Sequence, residues 1–161
     1  MAAIKNSLMT GMCFGLTSGV ITTLGLMVGL HSGTHSKIAV IGGIITIAIA
    51  DAFSDALGIH ISEEAKNTVA TREVWEATTM TFISKFLVAL MFLIPVLMFP
   101  LPTAILVGIC WGLSLLCFLS YLLAKRNGGK TFVVVVEHLL IALGVITITH
   151  YVGDWVAREF C

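Results

Sequence analysis

Two aspartates in the middle of a long apolar stretch are the residues of this chain best placed to do chemistry. Asp51 and Asp55 lie four residues apart with Ser54 beside them, so a helix would carry all three on one face. A charged Asp at the centre of a membrane helix costs about 2.5–3.5 kcal/mol, and two cost about twice that. Carboxylates are also ligands for hard and borderline divalent cations. The pattern predicts a face that binds a cation or a proton. The alternative is a protonated Asp hydrogen-bonded to a neighbouring helix.

Further acidic residues stand near the ends of other apolar stretches. Glu137 lies about two turns inside the last stretch, where a carboxylate is costly, so we expect it to line an ion or proton path. His150 and Asp154 near the other end of that stretch are candidates for a metal or proton relay, or for an interfacial hydrogen-bonded pair. Four carboxylates follow the second stretch and are candidates to collect metal ions at a pore mouth, or simply to form a solvated surface: Glu63, Glu64, Glu73 and Glu76.

The composition limits the class of protein that can hold these residues. Of 161 residues, 58% are hydrophobic and 11% are charged, and the mean hydropathy is +1.03. A soluble domain carries roughly 25% charged residues, and one of this size could not bury so much apolar surface. The net charge of +0 gives no basic face for nucleic acid. The sequence therefore predicts an all-α, multi-pass membrane protein without a permanently bound cofactor.

Five apolar stretches are long enough to cross a bilayer, which takes about 20 residues each. They form a single transmembrane domain over residues 1–161, with spans at about 8–30, 38–61, 79–99, 103–124 and 132–156.

The distribution of Lys and Arg predicts a cytoplasmic N-terminus. Two basic residues then lie outside, Lys37 and Arg158, and seven lie inside: Lys5, Lys66, Arg72, Lys85, Lys125, Arg126 and Lys130. Because this assignment places Lys85 at the inner side, no basic residue is expected at the depth of Asp51 and Asp55.

Small residues repeat along one face of the first span with spacings of three and four. Such residues let helices approach closely in lipid, where hydrophobicity does not drive association. This face predicts either tight packing within one bundle or the seam of a dimer beside a narrow path, with Ser18 on that path. The seam would include Gly11, Gly15, Gly25 and Gly29.

Two stretches resemble the vacuolar iron transporter (VIT) family. Residues 14–25, read as FGLTSGVITTLG, are similar to the family's G-x-x-D-G-x-x-T-x-x-G, and residues 52–62, read as AFSDALGIHIS, are similar to its A-x-S-M-x-x-G-E-Y-x-S. The resemblance implies five transmembrane helices, a cytoplasmic N-terminus and a dimeric pore. It also implies proton-coupled movement of ferrous iron or manganese out of the cytosol.

The chain departs from this family at the pore. Ser18 stands where the family has its pore Asp, and Asp55 stands where it has its pore Met, so the carboxylate moves from the first helix to the second. A soft thioether ligand is thereby lost. The large cytoplasmic metal-binding domain is also absent between the second and third spans.

These observations together predict a homodimeric, proton-coupled transporter of divalent metal ions, of the iron or manganese class, rather than an enzyme. The alternative is a non-transporting membrane scaffold or partner subunit that retains the fold. An intramembrane metalloenzyme ranks last, because Glu137 and His150 are about 20 Å apart along a helix.

Overall fold

A computed structural model of the chain describes residues 2–66, 68–126, 128 and 130–160, with side chains from Ser7 onwards. The described residues contain helices and no strand. The helices are α1 (Ala2–Thr34), α2 (Lys37–Glu64), α3 (Thr71–Met91), α4 (Leu93–Met98), α5 (Leu101–Arg126) and α6 (Thr131–Phe160). Since α3 and α4 together make one span, five helical spans are long and apolar enough to cross a membrane. The all-α, five-span prediction is confirmed, whereas the side on which the N-terminus lies stays a prediction.

A two-residue link joins α1 to α2. His35 adopts a left-handed conformation (φ 51°), and its amide donates to the carbonyl of His31 at 3.0 Å, which closes the end of α1. Ser36 then caps α2, because its hydroxyl accepts a hydrogen bond from the amide of Ala39 at 3.3 Å. The short link places the two helices side by side and antiparallel.

A proline divides the third span. Pro95 has no amide hydrogen, so it cannot donate to the carbonyl of Met91, four residues earlier, and its ring would crowd that group. The chain turns tightly at Phe92, whose amide bonds to the carbonyl of Ala89 at 3.1 Å, and continues as α4. At the end of this span the Lys37 ammonium donates to the Phe99 carbonyl at 3.1 Å. That contact fixes the start of α2 against the end of α4.

The third span starts earlier than the sequence predicted, and this changes the depth of Lys85. The helix begins at Thr71 rather than Thr79, because the charged residues Arg72 and Glu76 form its first turns instead of a loop. Lys85 therefore lies near the middle of the 28-residue span Thr71–Met98. The prediction that Lys85 lies at the end of the span is wrong, so the predicted topology rests on six rather than seven basic residues at the inner side.

Helix α1 is the centre of the bundle and packs against α2, α3, α5 and α6. Its small residues are used inside the subunit. A Cβ on Gly11 or Gly15 would strike α3, at the backbone of Ala77 and Thr81, and one on Gly25 would stand 2.7 Å from Val145 of α6. Gly29 lies against Thr149 in the same way, at 3.4 Å. The close-packing interpretation thus agrees with the structure. The expected dimer seam on this face does not, because α3 and α6 already cover it.

Replacing Gly15 with leucine should destabilise the subunit. Its Cβ would lie 2.6 Å from the Thr81 carbonyl oxygen, a backbone atom that cannot move aside without displacing α3. Overpacking of this kind costs about 1–3 kcal/mol. Gly144→Leu is the matched control, because nothing lies within 4 Å of a Cβ at that position of α6. Thermal unfolding in detergent should show a lower midpoint for Gly15→Leu alone, and equal midpoints for the two variants would contradict the packing described.

Candidate functional site

Three helices bring four polar side chains together in the middle of the bundle. Helix α1 supplies Ser18, α2 supplies Asp51 and Asp55, and α3 supplies Lys85. We call this group the ion cluster. It joins two of the sequence-predicted aspartates and the predicted serine to a lysine that the sequence analysis had placed elsewhere.

Lys85 is the hub of the ion cluster. Its Nζ lies 2.5 Å from Oδ2 of Asp51, donates to Oδ2 of Asp55, and donates to the hydroxyl of Ser18 at 3.0 Å. The Ser18 hydroxyl in turn donates to Oδ2 of Asp55 at 2.6 Å. The contact with Asp51 is an ion pair without hydrogen-bond geometry, since that oxygen has no hydrogen-bond partner. Asp55 is therefore held by two donors, and Asp51 is held by charge alone.

The glycines of α1 make room for this lysine. Lys85 is 1% exposed, and its aliphatic stem crosses α1 so closely that a Cβ on Gly19 would stand 3.2 Å from the Lys85 Cγ. Gly15 lies one turn earlier, where a Cβ would be 3.2 Å from the Lys85 amide nitrogen. The apolar stem thus packs on helix backbone while the ammonium reaches the carboxylates of α2. A larger residue at Gly19 would block this path.

The charges of the ion cluster do not balance when all its groups are ionised. Two carboxylates and one ammonium leave a net charge of −1 in a region where an uncompensated charge is costly. One further proton or monovalent cation would make the cluster neutral, and a divalent cation would bring its net charge to +1. The carboxylates also reach the surface of the bundle, since Asp51 is 27% and Asp55 is 21% exposed. The surplus negative charge therefore lies partly open at the surface of the bundle.

The expectation that no basic residue lies at the depth of the aspartates is wrong, and its cause is the misplaced start of the third span. An available signal was the i, i+4 spacing of Arg72 and Glu76, which pair at 2.9 Å and indicate a helix in that segment. A helix running from there into the apolar stretch would have placed Lys85 at mid-span.

The remaining predicted path residues lie outside the ion cluster. Ser54 is exposed on the outer side of α2. Glu137 is exposed on α6, which packs against α1 and α5 rather than against α2 or α3. Ser54 thus lies beside the aspartates on α2 without joining their contacts, and Glu137 lies away from them.

The four carboxylates that were predicted to collect metal ions at a pore mouth do not meet at one point. Glu63 pairs with Lys66 at 2.6 Å and Glu76 pairs with Arg72 at 2.9 Å, each within a short stretch of chain. Glu64 is exposed, and Glu73 lies half-buried in the first turn of α3. Among the residues that the structure describes, no three His, Cys, Asp or Glu side chains are grouped closely enough to hold a metal ion. A metal site made by these acids within one chain is therefore not formed.

A second polar contact ties α1 to α6 at the opposite end of the bundle from these acids. Nδ1 of His150 lies 2.5 Å from the Ser32 hydroxyl, and Nε2 of His150 lies 3.7 Å from Oδ2 of Asp154. A Cβ on Gly153 would stand 2.9 Å from the Ser32 Cβ, so the helices are in close contact here. At 3.7 Å His150 and Asp154 are not hydrogen-bonded to each other, and both interpretations of this pair stay predictions.

Comparison with known proteins gives no match: no family model matches the chain, and no curated protein and no solved structure matches it either. The resemblance to the vacuolar iron transporter family therefore stays a prediction from the two sequence stretches.

Lys85→Met should destabilise the fold strongly, because it leaves two carboxylates without their counter-ion. Removing one partner of a buried ion pair costs about 3–5 kcal/mol. Adding Asp51→Asn and Asp55→Asn to Lys85→Met should restore much of the loss, since the charges are then gone. Arg158→Met is the control, because Arg158 is exposed in the last turn of α6, away from the ion cluster, and its loss should leave stability unchanged. Thermal unfolding in detergent measures the stability of the single variant, the triple variant and the control. A triple variant no more stable than Lys85→Met would show that charge imbalance does not cause the loss of stability.

Proposed function

We propose that this protein is a membrane transporter of divalent metal ions, of the iron or manganese class, that is coupled to protons and works as a homodimer. The observation that supports the proposal is the ion cluster, which has a net charge of −1 in the middle of a five-span bundle. Intramembrane ionisable residues commonly mark ion or proton pathways. The N-terminus is assigned to the cytoplasm, on the Lys and Arg distribution.

A mechanism for proton-coupled transport follows if a metal ion and Lys85 compete for the same carboxylate oxygen atoms. A cation between Asp51 and Asp55 would take the Oδ2 atoms that Lys85 now contacts, and the Ser18 hydroxyl offers one more oxygen. Binding of the metal ion and pairing with Lys85 therefore exclude one another. With a divalent ion bound and Lys85 charged, the ion cluster carries a net charge of +1; when the ion leaves, Lys85 returns to the aspartates and one proton neutralises the remaining charge of −1. The aspartates thus have a positive partner in both states.

A second copy of the chain would complete the metal site. One subunit offers two carboxylates and one hydroxyl, whereas hard divalent cations take six or more oxygen ligands, including water. The partly exposed side chains of Asp51 and Asp55 let a twofold partner supply a second carboxylate pair. Covering them would also shield the net charge from lipid.

The outer face of α2 is the surface that suits this partner. Small residues recur at every fourth position on it, and all of them are exposed; we call them the α2 small row: Gly42, Thr46, Ala50, Ser54, Gly58 and Ser62. Nothing lies within 4 Å of a Cβ at Gly42 or Gly58. Such rows allow two membrane helices to approach closely. Ser54 and Gly58 are each three residues beyond one of the aspartates, so the row runs beside the ion cluster.

The second candidate is a membrane scaffold or partner subunit without transport. It is favoured by the bonds of Lys85, which join three helices. In that case the ion cluster serves folding alone. In the transporter the surplus negative charge of the ion cluster binds the transported cation, and in the scaffold it binds none.

Asp55→Asn should abolish divalent cation flux while leaving the fold intact. The variant keeps one aspartate and one lysine, so the ion cluster is neutral without a further cation and has lost half of its metal-binding charge. The measurement is uptake of manganese or ferrous iron into proteoliposomes that contain an internal pH dye. Wild-type protein should take up the metal and move protons, and Asp55→Asn should do neither.

Asp154→Asn is the matched control for this experiment, because it removes a carboxylate at the far end of α6 from the ion cluster. It should transport as the wild type does. Full flux in Asp55→Asn would refute the site. Absence of flux in the wild type, together with an Asp55→Asn variant that folds normally, would favour the scaffold.

Gly58→Leu and Gly42→Leu should convert the dimer to a monomer, because each places a branched side chain on the α2 small row. The fold of each subunit should be unchanged, since both positions face open space. Analytical ultracentrifugation in detergent measures the mass, and Gly144→Leu on α6 is the control that should remain dimeric. A monomeric wild type, or a dimer that survives both α2 substitutions, would contradict this seam.

A further inference from the structure

An apolar groove runs between α5 and α6 over the half of the bundle nearest the α5–α6 link. It has a volume of about 950 Å³ and is open on its outer side. Cys117, Phe118 and Tyr121 line it on α5, and Val135 and Leu139 line it on α6. The hydroxyl of Ser114, which also borders the groove, already donates to the Cys110 carbonyl at 2.7 Å. The wall therefore offers hydrocarbon contacts with little free hydrogen-bonding capacity.

Positive charge collects at the end of this groove. The Lys125 ammonium lies 5.9 Å from the ring centre of Tyr121, the groove residue nearest the end of α5. Lys130 directly precedes Thr131, which lines the groove at the start of α6. In the described part of the chain neither lysine has an ion-pair partner, and the sequence between Glu76 and Glu137 contains no acidic residue. The nearest acidic residue along the chain, Glu137, lies seven residues after Lys130, about 10 Å along α6. Both lysines are therefore without an ion pair at this end of the groove.

We infer that this groove binds an anionic phospholipid, with an acyl chain along α5 and α6 and the phosphate between Lys125 and Lys130. Basic pockets between membrane helices are suited to anionic headgroups, and an apolar groove next to one receives the attached chain. The open outer side lets the lipid enter from the bilayer without any movement of the helices. Tyr121 lies between the two parts of the site, where an aromatic ring at the headgroup level is favoured.

The charge pattern distinguishes this ligand from other occupants. A zwitterionic lipid would fill the groove but would gain little from the two lysines. A second copy of the chain would bring its own groove and its own lysines, which repel under twofold symmetry at this end. The anionic lipid is the occupant that satisfies both the apolar wall and the two unpaired lysines. This site is separate from the ion cluster, so it stands whether or not the protein transports cations.

Native mass spectrometry from nanodiscs tests the proposal. Nanodiscs that contain phosphatidylglycerol in phosphatidylcholine should release wild-type protein with bound phosphatidylglycerol, and nanodiscs of phosphatidylcholine alone should release it without lipid. The double variant Lys125→Gln/Lys130→Gln should retain phosphatidylglycerol about 25-fold less well, since each lysine near an anionic headgroup contributes about fivefold. Val135→Trp, which fills the groove, should also lose the lipid, and Leu139→Phe repeats this test if Val135→Trp does not fold.

Arg158→Gln is the control, because it removes one positive charge at the other end of α6. It should retain phosphatidylglycerol as the wild type does. Equal retention of phosphatidylcholine and phosphatidylglycerol, or an equal loss in Arg158→Gln, would overturn the proposal in favour of non-specific attraction. Unchanged binding in both groove variants would also overturn it. So would a loss of dimer in Val135→Trp with lipid retention unchanged, because the groove would then bind a second copy.

Discussion

The ion pair between Lys85 and the two aspartates of α2 is the interaction on which the arrangement of this bundle depends. Charges in an apolar interior must meet their partners closely, because no water is available to stabilise them. Lys85 therefore has to cross α1, and the glycines at positions 15 and 19 provide the space. The length of α3 sets the depth of Lys85, and the position of the aspartates sets the register of α2 against both helices. Helix packing and charge neutralisation thus specify the same geometry.

The net charge of the ion cluster bears both on the stability of the fold and on the proposed transport. A fully neutral cluster would favour one compact state, whereas a cluster with a net charge of −1 retains affinity for one more positive charge. Asp55, held by two donors, and Asp51, held by charge alone, are not equivalent. Asp55 links α2 to both α1 and α3, through Ser18 and Lys85, whereas Asp51 links it to α3 through Lys85.

The sequence alone predicted the architecture well, because hydropathy over 20-residue stretches and the positions of Pro and Gly reflect strong physical constraints. It also identified Asp51, Asp55 and Ser18, since polar residues at helical spacing in an apolar stretch are conspicuous. It did not predict their partner. Placing Lys85 required the true start of α3, and the charged residues from Arg72 to Glu76 look like a loop until their pairing is considered. The small residues of α1 left a further ambiguity. They indicate close contact with another helix, but the sequence does not show whether that helix belongs to the same chain or to a second copy.

The sharing of one lysine between α2 and α3 also bears on how the chain enters the membrane during synthesis. Helix α2 emerges first with two aspartates, whose insertion alone is unfavourable by roughly 5–7 kcal/mol. Its counter-charge follows only after the short connection that ends at Ala70 and the first half of α3 have been made. The two helices would then leave the translocation channel together, as a hairpin whose charges are already paired. Substitution of Lys85 would accordingly reduce the yield of inserted protein, even where the mature fold could tolerate the change.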